Sequence, residues 1–179
     1  MTTGSTTGTT LLPEHLDALQ RFFAAMPDED VAFMKEDVRD AAVVAQMVEP
    51  SDRIRRWVAE HGGEVLGYVA LTPLVGWSDH VGELRLAVAP AQRRQGLGRG
   101  LAQTAMLAAL DAGLKKILVE VVAEQEAAAR MFRGLGFEGE ALLRDHIRDR
   151  SGELRDVLLL AHFADEISSA LGTIGADGR

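Results

Sequence analysis

The 179-residue sequence contains no cysteine, and this absence excludes several kinds of chemistry at once. Disulfide bonds, a thiolate nucleophile and cysteine-ligated metal sites are all ruled out. The five histidines show no spacing typical of metal ligands, so we expect no metal cofactor. Because a chain without disulfides is compatible with a reducing compartment, we expect a cytoplasmic protein.

Long apolar runs and surplus positive charge are also missing. No run approaches the roughly 18 apolar residues that a membrane-spanning helix needs, so we expect no membrane association. The formal net charge is −8, whereas non-specific nucleic-acid binding relies on surplus lysine and arginine. We therefore expect no nucleic-acid partner.

The remaining composition is ordinary for one soluble domain, with 47% hydrophobic and 26% charged residues. The threonine- and glycine-rich start lacks the basic and apolar parts of a signal peptide, and it predicts a flexible tail over residues 1–11. A single folded domain is predicted over residues 12–164. Small residues and glycine predict a frayed tail over residues 165–179.

Apolar periodicity and turn residues predict the element order α-α-β-β-β-α-β-α-β-β. The predicted helices cover residues 13–26, 37–48, 99–112 and 125–135. The predicted strands cover residues 54–60, 64–72, 81–89, 116–123, 140–149 and 154–162. Because a strand–helix–strand segment favours parallel pairing, the middle strands should be parallel, and the hairpins at each end make the sheet mixed. The predicted fold class is α/β or α+β.

A glycine-containing loop lies between the third predicted strand and the helix that follows it. Residues 93–99 read Arg-Arg-Gln-Gly-Leu-Gly-Arg, and glycine lets the backbone turn sharply and approach a ligand closely. The first N–H groups of the helix lack internal partners and lie at the positive end of its dipole, so the loop suits an anion, most naturally phosphate. The alternative is a glycine-rich turn that only caps the helix, with solvated arginines.

Three phosphate-binding designs can be compared with this loop. The mononucleotide design requires Gly, four residues and then Gly-Lys-Ser/Thr, and the chain contains no such string. The dinucleotide design requires a third small residue, but Leu101 stands at that position. The third design, Arg/Gln-x-x-Gly-x-Gly/Ala, is matched in full by Arg93, Gly96 and Gly98. It is the signature of the GNAT superfamily of acyltransferases, which this chain resembles.

A second segment extends the resemblance to GNAT proteins. The family has Asn-x-x-Ala-x-x-x-Tyr and then Gly-Phe, whereas residues 125–132 read Gln-Glu-Ala-Ala-Ala-Arg-Met-Phe and precede Gly136-Phe137. Gln125 still offers an amide in place of Asn, but Phe132 in place of Tyr cannot supply a proton. The resemblance covers residues 12–163. It implies a mixed, mostly antiparallel sheet with a splayed parallel pair of strands, flanked by helices.

The resemblance also implies acetyl-CoA, the acetylated form of coenzyme A, as the acyl donor. In the family the pantetheine arm pairs with the splayed fourth strand, and the pyrophosphate lies on the amides of the glycine loop. Carried onto this sequence, the cofactor-binding residues are Leu86, Ala87, Val88, Arg93, Arg94, Gln95, Gly96, Leu97, Gly98, Arg99, Gln125 and Phe132.

Two glutamates are candidates for the general base that direct acyl transfer to an amine requires. Glu120 interrupts an apolar strand, where a carboxylate is unusual, and its Val-Glu-Val segment resembles the Leu-Glu-Val of ribosomal-protein alanine acetyltransferases. Glu83 competes as the alternative base, and for both residues a structural ion pair is a further interpretation. The resemblance implies that the backbone N–H of Val88 contacts the oxyanion.

The implied function is an N-acetyltransferase that moves an acetyl or short acyl group directly to a primary amine. The acceptor could be a small amine, an amino acid or a protein amine, and a homodimer is common in the family. Because Phe132 cannot protonate the leaving thiolate, a non-catalytic acyl-CoA-binding sensor or partner subunit is the alternative. Tyr68, the only tyrosine, is expected to pack in the core. Acids at 28–30 and 36–40 are solvated faces or attract a cationic amine.

Overall fold

A computed structural model of the protein describes residues 8–31 and 34–164. The helices are α1 (Leu16–Ala25), α2 (Asp28–Val31), α3 (Ala41–Met47), α4 (Leu97–Asp111) and α5 (Glu126–Arg133). The strands are β1 (Thr9–Thr10), β2 (Arg55–His61), β3 (Glu64–Pro73), β4 (Val81–Val88), β5 (Lys116–Val122), β6 (Glu138–Arg148) and β7 (Leu154–Phe163).

The strands of the described residues form one sheet in the order β1-β2-β3-β4-β5-β7-β6. The pair β4–β5 is parallel, and α4 makes the crossover between its two strands. Every other neighbouring pair among the described strands is antiparallel. The predicted mixed sheet with a central parallel pair is therefore confirmed.

The two parallel strands separate before either of them ends. Their pairing runs from Val81 opposite Lys116 to Leu84 opposite Val119, while β4 continues to Val88 and β5 to Val122. Beyond Leu84 the edges of β4 and β5 that face each other are not paired, and backbone groups there are available to a ligand. The splayed parallel pair implied by the resemblance is present.

Two apolar clusters cover the two faces of the sheet. On one face α4 buries Leu101, Ala105 and Ala109 against the central strands, because these residues recur at helical spacing. On the other face α1 buries Phe23 against Tyr68 of β3, with ring centroids 5.4 Å apart. This packing holds the start of α4 and the end of β4 in a fixed relation.

The start of the chain differs from the predicted tail over residues 1–11. Thr9 and Thr10 pair with β2, and Leu11 is buried, so the expectation of a flexible tail is wrong for this part. A two-residue edge strand carries too little pattern to be recognised in a threonine-rich segment. Residues 1–7 and the predicted tail 165–179 lie outside the described residues.

Helix boundaries near the acidic segments also shifted. The second predicted helix begins at Ala41, because the Asp40 carboxylate accepts a hydrogen bond from the N–H of Ala42 and caps it there. The segment Asp28–Val31, which lies between the first two predicted helices, forms the short helix α2. Since Asp30 of α2 forms an ion pair with Arg93 of the glycine loop, this difference matters for the site.

Candidate functional site

A large cleft lies where α4 begins, α5 begins and β4 ends. Its cavity volume is about 640 Å³. The predicted cofactor residues that line it are Leu86, Ala87, Val88, Arg93, Arg94, Gly96, Gly98, Arg99, Gln125 and Phe132. The sequence motif and the second segment are therefore brought together around one cavity, although they are separated along the chain.

The glycine loop turns into α4 through left-handed backbone. Arg94 has φ +60°, and Gly96, the residue that precedes the helix, has φ +83°. A Cβ atom at Gly96 would meet no atom within 4 Å, so glycine is required there by conformation and leaves open space on the cleft side. The N–H groups of the first helical turn lie beside this space, and the helix dipole makes it favourable for an anion.

Gly98 has a different reason to lack a side chain. A Cβ atom at this position would lie 3.3 Å from Met131 Sδ and 3.3 Å from Val88 Cγ2. The first turn of α4 therefore packs closely against both α5 and β4. This close approach brings the loop, the end of β4 and the α5 helix around the same cavity.

Arg93 is engaged within the protein. Its guanidinium forms an ion pair with Asp30 of α2 and donates a hydrogen bond from Nε to the carbonyl oxygen of Val88 at 3.2 Å. Arg93 therefore ties the loop to α2 and β4, while Arg94 and Arg99 stay exposed on the cleft wall. These two are the arginines with charge left to offer a phosphate.

Two predicted cofactor residues direct their side chains elsewhere. The Gln95 side chain donates from Nε2 to the carbonyl oxygen of Ala91 at 3.0 Å. Leu97 is buried in the core cluster under α4. Of these two residues only the backbone remains available to a ligand, because neither side chain lines the cleft.

Alternate backbone N–H groups of β4 face the gap between the separated parts of β4 and β5. The N–H of Ala89 donates to the carbonyl oxygen of Leu66 on β3 at 3.0 Å. Successive N–H groups along a strand point to opposite edges, so those of Leu86 and Val88 face away from β3, towards the gap beside β5. By the same alternation Ala87 bonds to β3, and its backbone is a poor candidate for the pantetheine arm. The Val88 N–H keeps its position as a candidate oxyanion donor.

A smaller cavity sits between the separated parts of β4 and β5. Glu83 and Glu120 both line it. It shares Leu86, Gln125, Ala128 and Phe132 with the larger cleft. The two candidate bases therefore lie beside the inner end of the cleft, on neighbouring strands.

Glu83 is buried and already has two cationic partners. Lys35 donates from Nζ to both of its carboxylate oxygens, at 2.8 and 3.1 Å, and Arg85 forms an ion pair with it. Burial by itself raises the pKa of Glu83, but the hydrogen bond from Lys35 and the charge of Arg85 outweigh it and hold the pKa below its ordinary value of 4.5. A carboxylate held in this way is a weak base.

Glu120 is less committed to partners. Its side chain is 22% exposed, and its ion-pair partner among the described residues is Lys35, whose Nζ lies 3.7 Å from Oε1. Its neighbours on the other face of β5, Val119 and Val121, are buried in the core. The carboxylate thus faces the cavity with its charge only partly compensated, and Glu120 is the better placed of the two bases.

The depressed pKa of Glu83 predicts that the stability of the fold depends on pH. Its folded-state pKa is depressed, so the stability it contributes is present above pH 4.5 and is lost as the pH falls through the lower folded-state pKa. We expect Glu83→Gln to lower the free energy of unfolding by about 1–3 kcal/mol at pH 7, with the deficit shrinking below pH 4.5. Thermal unfolding from pH 7 to pH 3 measures this. A constant deficit at every pH would contradict it.

Glu64→Gln is the control. Because Glu64 forms an exposed pair with Arg21, its replacement should change the free energy of unfolding little.

Neither Tyr68 nor Phe132 is placed to protonate a leaving thiolate. Tyr68 is buried against Phe23, and burial raises the pKa of its hydroxyl above the ordinary value. Phe132 lines both cavities and packs edge-on against Phe137, with ring centroids 5.2 Å apart. The expectation that Tyr68 packs in the core agrees with its position.

Sequence reasoning missed Lys35 as part of this site. Nothing in its local sequence indicates that it reaches β4 and β5, because its contacts with Glu83 and Glu120 are made between residues far apart in the chain. Three acids close to Lys35 in sequence form ion pairs with arginines. Asp28 pairs with Arg39, Asp30 with Arg93 and Glu36 with Arg85. These carboxylates are therefore partly neutralised, so the idea that they attract a cationic amine loses support.

Two features are absent from the described part of the chain. No group of three or more His, Asp or Glu in residues 8–31 and 34–164 could hold a metal ion. In the same residues no helix is long and apolar enough to cross a membrane.

Curated proteins named as N-acetyltransferases are similar in sequence to part of this chain. The protein named YjgM, an uncharacterized N-acetyltransferase of Escherichia coli K12, is 37% identical over 83 residues, which are 46% of this chain and 50% of that protein. The chain spans half or less of the length of the curated relatives it matches first.

Solved structures share the fold at low sequence identity. The ribosomal-protein-alanine N-acetyltransferase of Brucella melitensis has a TM-score of 0.76 at 24% identity, covering 87% of this chain and 98% of that one. YncA of Salmonella typhimurium, solved with its cofactor acetyl-CoA, has a TM-score of 0.72 at 18% identity, covering 87% and 93%. The model of the Acetyltransferase (GNAT) family matches residues 16–137, more than half of the sequence. The chain therefore belongs to the GNAT acetyltransferase family.

Proposed function

We propose that the protein is an acetyl-CoA-dependent N-acetyltransferase that transfers the acetyl group directly to a primary amine. The observation that carries this proposal is that the two cavities adjoin. The cleft at the glycine loop shares four lining residues with the smaller cavity, which Glu120 and Glu83 line at the separation of β4 and β5. A donor held along the cleft would present its thioester to these carboxylates.

The cleft has the features that each part of coenzyme A requires. The start of α4, with Arg94 and Arg99 on the wall, suits the pyrophosphate. The backbone groups of Leu86 and Val88 suit the amides of the pantetheine arm, because they face the gap between the separated parts of β4 and β5. Gln125 lies at the start of α5, where its amide can reach the same arm.

The chemistry next to the thioester would use residues of β4 and β5. Glu120 would accept a proton from the incoming amine, directly or through a water. The Val88 N–H would stabilise the oxyanion of the tetrahedral intermediate. The departing thiolate would take its proton from solvent, since Phe132 carries none and Tyr68 is buried.

Two measurements test the proposal. Acetyl-CoA alone should raise the melting temperature, because a ligand that binds only the folded state stabilises it. Thiol release should then appear on adding primary amines, with samples lacking amine as blanks and a peptide with N-terminal alanine in the panel. A melting shift without amine-dependent thiol release would favour the non-catalytic sensor. Absence of any shift would overturn the cofactor assignment.

A further inference from the structure

The side-chain amine of Lys35 lies between the two candidate bases. Its Nζ lies 2.8 and 3.1 Å from the two oxygens of Glu83 and 3.7 Å from Oε1 of Glu120. Both carboxylates line the smaller cavity, which shares four lining residues with the large cleft. Because a general base next to an amine can accept its proton, the Lys35 amine has the partner that a nucleophile in direct transfer needs.

The side chain is held by charge and yet remains reachable. Lys35 is 54% exposed, whereas the Glu83 side chain is 11% exposed. Arg85, paired with Glu83 and with Glu36, keeps part of the carboxylate charge compensated when Lys35 loses its proton. Glu83 therefore keeps Arg85 as an ion-pair partner after Lys35 has reacted.

We propose that Lys35 is an internal acyl acceptor, which the protein acetylates on Nζ when acetyl-CoA is bound. The inference rests on the proposed function, since the donor must lie in the cleft. Its distinguishing claim is that the first acceptor is a residue of the chain itself.

The step balances as an ordinary aminolysis. The ammonium of Lys35 first loses a proton to Glu120, and the neutral nitrogen attacks the thioester carbonyl carbon. The N–C bond forms, the C–S bond breaks, and the nitrogen gives up a second proton. One of the two protons ends on the thiolate to give the free thiol of coenzyme A, and the other is released to solvent. No oxidant or further reactant is needed.

The other lysines of the chain provide an internal comparison. The sequence has three lysines, Lys35, Lys115 and Lys116. Lys116 begins β5, four residues before Glu120, or about 13 Å along the strand. It forms an ion pair with Glu140 and lies over the ring of Phe163. Neither lysine at this end of β5 is near the separation of the strands.

The experiment is to incubate the full chain with acetyl-CoA and no amine, then measure intact mass and map the modified peptide. We expect one acetyl adduct on Lys35, formed at a rate independent of protein concentration because the transfer is internal. The adduct should persist in the double variant Lys115→Arg/Lys116→Arg and be absent in Lys35→Arg. Glu120→Gln should slow it about 100-fold, a loss typical of removing a general base.

The controls separate this proposal from non-enzymatic acetylation and from the proposed function. The unfolded chain should react at all three lysines alike. Equal modification of the three lysines in the folded protein would overturn the inference. So would an unmodified Lys35 in a protein that releases thiol with added amines, and there the proposed function would survive. If acetyl-CoA gives no melting shift and no thiol release, both proposals fail together.

Discussion

Glu120→Gln should lower amine-dependent thiol release by about 10²–10⁴-fold while leaving the melting shift with acetyl-CoA intact. The amide keeps the size of the side chain but cannot accept the proton of the attacking amine. Binding should survive, because Glu120 lines the small inner cavity and is absent from the lining of the large cleft. Initial rates with saturating amine measure the effect.

The comparison with Glu83→Gln decides which carboxylate is the base. Glu83 is held by Lys35 and Arg85 with a depressed pKa, so its replacement should reduce stability more than it reduces turnover. Glu64→Gln serves as the matched surface variant at the β2–β3 hairpin. If Glu83→Gln abolishes turnover and Glu120→Gln does not, the roles assigned to the two residues are reversed.

Gly96→Val should abolish the melting shift with acetyl-CoA. Valine fits poorly at φ +83°, and its side chain would fill the open space in front of the first turn of α4. Losing about two hydrogen bonds to a charged phosphate, at roughly 1.5–3 kcal/mol each, weakens binding by on the order of 100-fold or more. Titration calorimetry with acetyl-CoA gives the change in Kd.

Gly76→Val is the matched control for this substitution. Gly76 also has a left-handed backbone, with φ +65°, and a Cβ atom there would meet nothing within 4 Å. It lies in the β3–β4 connection and does not line the cleft. Both variants should therefore lose similar stability, and only Gly96→Val should lose the cofactor. Unchanged binding in Gly96→Val would remove the loop from the site.

The fold was largely predictable because its signals are local. The strand–helix–strand order around the glycine loop determined the parallel pair, and residues 81–89 and 116–123 were found close to the observed β4 and β5. The errors fell where a short segment is stabilised only by its neighbours. Thr9–Thr10 is a strand because β2 is beside it, and α2 is too short to show a helical period.

The cleft around the glycine loop was predictable in part. The glycine motif is contiguous, so its spacing alone indicated an anion at the start of a helix. Which of its side chains line the cleft was not contained in the spacing. Gln95 bonds to its own loop, Leu97 enters the core and Arg93 pairs with Asp30, and each outcome depends on packing between elements.

By itself, the sequence determined the family resemblance, the parallel pair and the position of the glycine loop, since each depends on residues that are close together in the chain. Only the tertiary structure decided which side chains lie together at the two candidate bases. Glu83, Glu120 and Lys35 come from three segments separated by more than thirty residues each, and they meet because β4 and β5 are adjacent and Lys35 reaches a side chain of each strand. Contacts of this kind depend on chain topology, which residue spacing does not encode.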